Sequence, residues 1–197
     1  LNVQLKVKSL PIKQVIKILF LVLITIVFTF SPVSSKSYKS ANESIKIDKS
    51  ILRSGDLIFR KGLSFISNMI MLADKRSKYS HVGLIYVKNS EVYVIHTTPD
   101  ESDDGIDRVK LDRLEEYLRI DRATAIAVYR LQDSLRVLYA ECSIKNALEY
   151  FDNKILFDAS LDLTESQKLY CTELVWKAYK NSGIDLISSK FDNLKIP

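Results

Sequence analysis

Two adjacent segments rich in β-forming residues constrain the fold of this chain more than any other feature. The segments His81–Lys88 and Glu91–Thr98 are dense in Val, Ile and Tyr, and only Asn89-Ser90 separates them. Two such runs joined by two turn-forming residues predict an antiparallel hairpin. The sheet that contains this hairpin is therefore expected to be antiparallel around it.

Both histidines of the chain lie in this predicted hairpin. With Asn89-Ser90 as the turn, Gly83 pairs with His96, and the alternation of side chains places His81 on the same face as His96. The diagonal separation of such positions is about 7–8 Å, which long side chains can bridge. Gly83 also leaves open the space opposite His96. The two imidazoles are therefore expected to interact.

Hydrophobic periodicity predicts the other elements and an α+β fold. A stripe that includes Leu138 and Cys142 predicts that Cys142 faces the core. The strands are expected at Asp56–Arg60 and Thr124–Leu131, and the helices at Leu63–Leu72, Asp112–Arg119 (capped by Asp112), Ser134–Tyr150 and Leu169–Tyr179.

Residues 1–35 have the layout of a secretory signal peptide. Four lysines without an acid precede the apolar run Ile18–Phe30, and small residues favour cleavage after Ser35. An uncleaved N-terminal membrane anchor is the alternative, because Val15 and Ile16 can lengthen the apolar run. We therefore expect a linker at residues 36–50, a domain at 51–197, and a periplasmic, extracellular or cell-envelope location.

The charge of the chain argues against a nucleic-acid partner. The formal net charge is +5, and the four leader lysines account for all but +1 of it. A nearly neutral domain lacks the basic surface that nucleic-acid binding requires. No glycine-rich phosphate loop and no Cys/His metal-ligand spacing is found in the sequence.

Cys142 and Cys171 are the two cysteines, and they allow two interpretations. In an oxidising compartment they could form a disulfide. Alternatively, Cys171 is a nucleophile, because a cysteine hydrolase needs a thiolate, a base and a third polar group that orients the base. Cys171, His81 and His96 supply one candidate for each role.

Three motifs resemble one family of hydrolases. This family is the permuted papain-like amidases of the YiiX/YaeF group, a branch of the NlpC-type hydrolases. The motifs, in the order in which the family has them, are Ser54-Gly55-Asp56-Leu57-Ile58-Phe59, Tyr79-Ser80-His81-Val82-Gly83-Leu84 and Leu169-Tyr170-Cys171-Thr172-Glu173-Leu174-Val175-Trp176. The resemblance implies a papain-like fold in which an antiparallel sheet packs against the helix that carries Cys171, and in which the histidine strand precedes that helix.

The resemblance also implies roles for individual residues. Cys171 becomes the nucleophile at a helix N-terminus, His81 the base and His96 the third polar residue, where some relatives carry Glu. Tyr79 is a candidate for positioning substrate, although it is equally explained as a structural residue. A capping-box pattern at Thr164–Gln167 instead predicts a helix that starts before Cys171. A start at Cys171 would give the thiol free amides that lower its pKa and bind an oxyanion.

The expected reaction is hydrolysis of an amide or ester, without a metal or an organic cofactor. Export favours cell-wall peptides, while lipid acyl groups, with a membrane nearby, and a catalytically silent binding module are the alternatives. The helix around Leu63–Leu72 has more apolar residues than one buried stripe needs. The surplus is expected to be buried in the core or, alternatively, to line an acyl-chain groove.

Overall fold

A five-stranded antiparallel sheet forms the centre of the fold in the computed structural model, which describes residues 43–73, 77–102, 104–160 and 167–187. These residues belong to one compact unit, and the predicted leader lies outside them. The α+β class is confirmed. The strands are β1 (Leu57–Gly62), β2 (His81–Lys88), β3 (Glu91–Thr97), β4 (Val109–Arg113) and β5 (Ala123–Tyr129), in the spatial order β4-β3-β2-β1-β5, and β6 (Leu156–Phe157) and β7 (Lys168–Leu169) form a separate parallel pair.

The predicted hairpin register is confirmed. Lys88 pairs with Glu91 and Ile85 with Val94 across β2 and β3. The turn residues Asn89 and Ser90 both have positive φ angles, 51° and 63°, as a two-residue turn of the favoured hand requires.

Two helices cover the hairpin on one face, and a second hydrophobic cluster covers the other. The helices are α1 (Phe65–Ala73), α2 (Leu114–Tyr117), α3 (Asp133–Asp152) and α4 (Cys171–Ser182). Helix α4 packs on β2 and β3, and α3 packs on α4. One core joins Val82, Leu84 and Ile95 to Leu174, Val175 and Ala178 of α4, and the other joins Ile58, Ile85 and Val94 to Leu114, Tyr117 and Leu118. Burial on both faces fixes the hairpin in place.

Part of the predicted linker is attached to the domain. The backbone N–H of Ile45 donates to the carbonyl of Leu118 at 2.8 Å, and that of Ile120 donates to the carbonyl of Glu43 at 3.0 Å. Ile45 and Ile47 also pack against the second core. Within the described residues, the chain is thus bonded to the domain from Glu43 onward.

The prediction that Cys142 faces the core is wrong. Cys142 is exposed, and Leu138 of the same predicted stripe is 67% exposed. The buried face of α3 instead carries Ala140, Ser143, Ile144 and Ala147. Three of these four side chains are small and allow the helix to approach its neighbours closely, so the stripe of large apolar residues that includes Leu138 did not mark its inner face. Cys142 and Cys171 are both free, and the disulfide interpretation is not supported.

The expectation that the apolar helix near residue 65 is buried in the core is also wrong. Phe65 is 78% exposed, Leu72 62%, Leu63 47% and Ile66 37%. Among the described elements, β1 is the main neighbour of helix α1. Phe65, Ile66 and Leu72 of α1 therefore face outward, whereas Met69, Ile70 and Met71 are partly buried. Among the described residues, no helix is long and apolar enough to cross a bilayer.

Candidate active site

The two histidines meet at one end of the sheet. His81 is the first residue of β2, and its Nε2 lies 3.0 Å from Nδ1 of His96. The two rings are edge to face, with centroids 5.1 Å apart. His96 is fully buried and His81 is 7% exposed. A Cβ at Gly83 would lie 3.1 Å from the His96 Cβ and would overlap Val94, so the glycine keeps this space open, as predicted.

A third group, Asp112, extends the histidine pair, and the sequence prediction missed it. Asp112 Oδ2 lies 3.0 Å from Nε2 of His96. The assignment of Asp112 as a helix cap is wrong, because the residue lies in β4 and the helix starts only at Leu114. The alternation of apolar and charged residues over Val109–Arg113 was the available signal, since it favours a strand.

The polar partners fix which nitrogen atoms carry protons. Burial raises the pKa of Asp112, but the hydrogen bond from His96 and the ammonium of Lys110 outweigh burial and hold this pKa well below its usual value. An ionised carboxylate only accepts, so Nε2 of His96 carries the proton. Nδ1 of His96 then accepts from Nε2–H of His81, which leaves Nδ1 of His81 as the free basic nitrogen.

Both imidazoles are held in the neutral form. Burial, followed by the positive charge of Arg60, lowers the pKa of His81 well below its usual value of 6.5. Burial also lowers the pKa of His96, and the hydrogen bond to Asp112 offsets part of this effect. His81 is therefore a neutral base at physiological pH.

A buried arginine lies beside the histidines. Arg60 is 2% exposed, it forms an ion pair with Glu101, and its Nη1 donates to the backbone carbonyl of Tyr117 at 2.8 Å. The guanidinium also stacks over the Tyr117 ring, 4.5 Å from the centroid. Because Arg60 pairs with His81 across β1 and β2, this cation is fixed next to the base. Neither Arg60 nor Glu101 was singled out from the sequence.

Cys171 is the first residue of α4, and its side chain is half-buried. Burial raises the pKa of the thiol, while the backbone N–H groups of Val82 and Thr172 favour the thiolate. The expected effect of the amides is present, but burial outweighs it. The interaction with the amide of Val82 brings Cys171 to the residue that follows His81.

The structure explains why α4 starts at Cys171 and not earlier. Lys168–Leu169 is strand β7, so the start predicted from the Thr164–Gln167 pattern is wrong, although Thr164–Ser166 lie outside the described residues. Glu173, in the first turn, is 1% exposed and forms an ion pair with Lys177, whose Nζ lies 2.8 Å from its Oε1. A carboxylate at this position stabilises a helix start.

The first of the three motifs connects the site to the cysteine helix. The hydroxyl of Tyr179 in α4 donates to the carbonyl of Gly55. Asp56 is fully buried and binds Arg130, with 2.6 Å between Oδ1 and Nε. This motif therefore positions β1 and α4 relative to each other.

Tyr79, the predicted substrate-binding residue, lies two residues before His81 and is half-buried. Its ring lies 6.0 Å, centroid to centroid, from that of Phe59, and its backbone N–H donates to Ser77 Oγ at 3.3 Å. Tyr79 thus lies near the start of β2. Its role toward substrate remains a prediction.

A helix that begins at a cysteine and packs on an antiparallel sheet, beside a histidine, is typical of papain-like hydrolases. The family model of the permuted papain-like amidase enzymes, YaeF/YiiX, C92 family (Peptidase_C92), matches residues 51–192, and the chain belongs to this family. The crystal structure of metalloprotein YiiX from Escherichia coli O157:H7 is similar, with 28% identity and a TM-score of 0.54. This match covers 66% of each chain, slightly less than two thirds of YiiX. Comparison with curated proteins gave no match.

YiiX is described as a metalloprotein. In the part of the chain that the structure describes, no three His, Cys, Asp or Glu side chains are grouped to hold a metal ion. The described residues therefore do not form a metal site with three or more of these ligands.

Proposed function

We propose that this chain is a cysteine amidase in which Cys171 is the nucleophile and His81 its base. The observation that supports this most is the hydrogen-bonded series His81, His96 and Asp112, which ends where the Cys171 helix begins. The family description, a permuted papain-like amidase, supports the same class of reaction.

The proposed reaction starts from an uncharged thiol and an uncharged imidazole. The Nδ1 atom of His81 takes the thiol proton while the sulfur attacks the acyl carbon, and backbone N–H groups at the start of α4 bind the resulting oxyanion. The His81 imidazolium is stabilised through His96 by the carboxylate of Asp112. Its proton then passes to the leaving amine. Water, deprotonated by His81, hydrolyses the thioester and restores the thiol.

The experiment that tests this function is capture of the acyl-enzyme. The full chain is incubated with p-nitrophenyl acetate, an activated ester, or with peptidoglycan fragments, quenched in acid and examined by mass spectrometry. We expect an acyl group on Cys171 and release of product over time. His81→Ala should lower the acylation rate by about 10²–10⁴-fold, because general base catalysis is lost.

The two cysteines provide a matched pair of controls. Cys171→Ser should abolish capture and turnover, whereas Cys142→Ser should leave both unchanged, because Cys142 lies exposed on α3. Acylation of Cys142 alone, or turnover in Cys171→Ser, would contradict the proposal. Failure of both substrates to acylate Cys171 would favour a binding module without catalysis.

The proposed substrate is a cell-wall peptide. This choice depends on the predicted signal peptide in residues 1–35, which would export the domain to the cell envelope. A lipid acyl group is the second candidate, and one observation favours it: the apolar side chains of α1 are exposed close to the His81 strand. The mass of the group captured on Cys171 from a cell extract distinguishes the two.

A further inference from the structure

Helix α1 presents an apolar stripe to solvent. Phe65, Met69 and Leu72 follow the i, i+4, i+7 spacing that places side chains on one helical face. Phe65 and Leu72 are 78% and 62% exposed, and Met69 is partly exposed. The most exposed side chains of this helix are therefore largely apolar, in contrast to the polar outer face of an ordinary core helix.

The stripe lies at the end of the sheet that carries His81. Gly62, the last residue of β1, donates its backbone N–H to Ser80 Oγ at 3.0 Å, and Ser80 directly precedes His81. Helix α1 starts only three residues after Gly62. Anything that binds α1 is therefore close to the candidate active site.

Basic residues flank the helix on both sides. From Lys61 to Ser80 the sequence contains four basic residues, Lys61, Lys75, Arg76 and Lys78, and one acidic residue, Asp74. Lys61 and Lys78, at the two ends of this segment, are exposed. No acidic residue lies within α1 itself. An apolar stripe flanked by cations complements a surface that has negative head groups above a hydrocarbon layer.

We propose that α1 binds this protein to the surface of an anionic lipid bilayer. The nine-residue helix would lie in the plane of the interface, with Phe65, Met69 and Leu72 inserted and Lys61 and Lys78 at the level of the phosphates. This orientation brings the start of β2 toward the bilayer. The inference does not depend on the reaction proposed above, because it concerns only the helix and its charges.

The experiment measures contact between α1 and lipid within the full chain. A Phe65→Trp variant is added to vesicles of phosphatidylglycerol and phosphatidylcholine with brominated chains, which quench tryptophan on contact. Val137→Trp is the matched control, because Val137 is 71% exposed but lies on α3. Trp176 is present in both variants, and its signal is subtracted using the unmodified chain.

We expect quenching and a blue shift at position 65 and neither at position 137. Each of Lys61→Gln and Lys78→Gln should raise the lipid concentration needed for half-maximal quenching about fivefold, and zwitterionic vesicles should quench weakly. The control also distinguishes this contact from membrane association through the N-terminal apolar run, because such association would not quench position 65 more than position 137.

Three outcomes would overturn the proposal. The first is the absence of quenching at position 65. The second is equal quenching at positions 65 and 137, which would indicate association without a defined face. The third is burial of the introduced tryptophan of Phe65→Trp in a concentration-dependent dimer that Leu72→Ser disrupts in the absence of lipid, which would assign the stripe to a second copy of the chain.

Discussion

Asp112 limits which residues can function at position 96. Its Oδ2 lies 3.0 Å from Nε2 of His96, and Lys110 lies 3.3 Å from the same oxygen. The resemblance to the YiiX/YaeF group suggests Glu as an alternative residue at this position. In this chain, a Glu there would face another carboxylate, and like charges at this distance repel each other.

We therefore expect His96→Glu alone to reduce kcat/KM strongly, and His96→Glu combined with Asp112→Asn to recover part of the loss. Asp112→Asn alone should lower kcat/KM less than His81→Ala does, because it weakens the base without removing it. Hydrolysis of p-nitrophenyl acetate across a pH series provides the measurement.

The pH profile separates positioning from simple structural damage. The hydrogen bond and charge of Asp112 raise the pKa of His96. Without that carboxylate, the acid limb of kcat/KM should move to lower pH while the plateau falls. An unchanged limb, or wild-type activity in Asp112→Asn, would show that Asp112 does not act on the base.

At the residue scale, the sequence predicted the histidine pair but not its surroundings. His81 and His96 were found because the register of a two-residue hairpin follows from arithmetic. Asp112 was missed because an aspartate just before a short helical pattern also fits the N-cap of a helix. Arg60 and Glu101 meet across 41 residues through an irregular loop, and no periodic pattern encodes such a contact.

At the element scale, the β2–β3 turn has the favoured backbone conformation, but Ser90 is not the residue best suited to its position in that turn. Ser90 has a φ of 63°, where a side chain is strained and glycine is not. We expect Ser90→Gly to raise the free energy of unfolding by about 0.5 kcal/mol, the balance of relieved strain and the greater flexibility of glycine in the unfolded chain. Urea denaturation measures the change.

A helical serine serves as the comparison for this turn. Ser134→Gly, in the first turn of α3, should instead lower the free energy of unfolding, since glycine disfavours helix formation. A decrease for Ser90→Gly as well would show that the hairpin turn is not under the proposed strain.

Element positions were largely predictable, but element orientations were not. The periodicity of Leu63–Leu72 indicated a helix, and α1 covers Phe65–Ala73, yet the same spacing cannot show whether the stripe faces a core or solvent. Likewise, the capping pattern at Thr164–Gln167 was local, whereas the start of α4 is set by β7 and by the contact of Cys171 with the β2 backbone.

At the scale of the whole molecule, the two buried histidines couple stability to pH. The folded pKa values of His81 and His96 lie below the usual 6.5, so the unfolded chain binds protons that the native chain does not. The contribution of the two neutral histidines to the free energy of unfolding is complete above the pKa that histidine has in the unfolded chain. It is lost as the pH falls below that value. Each histidine contributes a slope of up to about 1.4 kcal/mol per pH unit in that window.

We expect the free energy of unfolding, measured by urea denaturation from about pH 8 to about pH 5.5, to fall on the acid side of this range. His96→Gln should reduce the slope, because one of the two titrating groups is removed. Glu91→Gln is the control, since Glu91 is exposed and its pKa lies below the window. A flat profile in the unmodified chain would indicate that the histidines are not buried in the neutral form.

The order of the site residues along the chain has a consequence for biosynthesis. The proposed base His81, together with His96 and Asp112, emerges from the ribosome before Cys171, which follows His81 by ninety residues. Folding proceeds from the N-terminus during synthesis, so the hairpin can form while the thiol does not yet exist. Under the proposed mechanism, a nascent chain has no hydrolytic capacity until α4 has been made and has docked on β2 and β3. Among the described helices, the one that would complete the proposed catalytic group is thus the last to be translated.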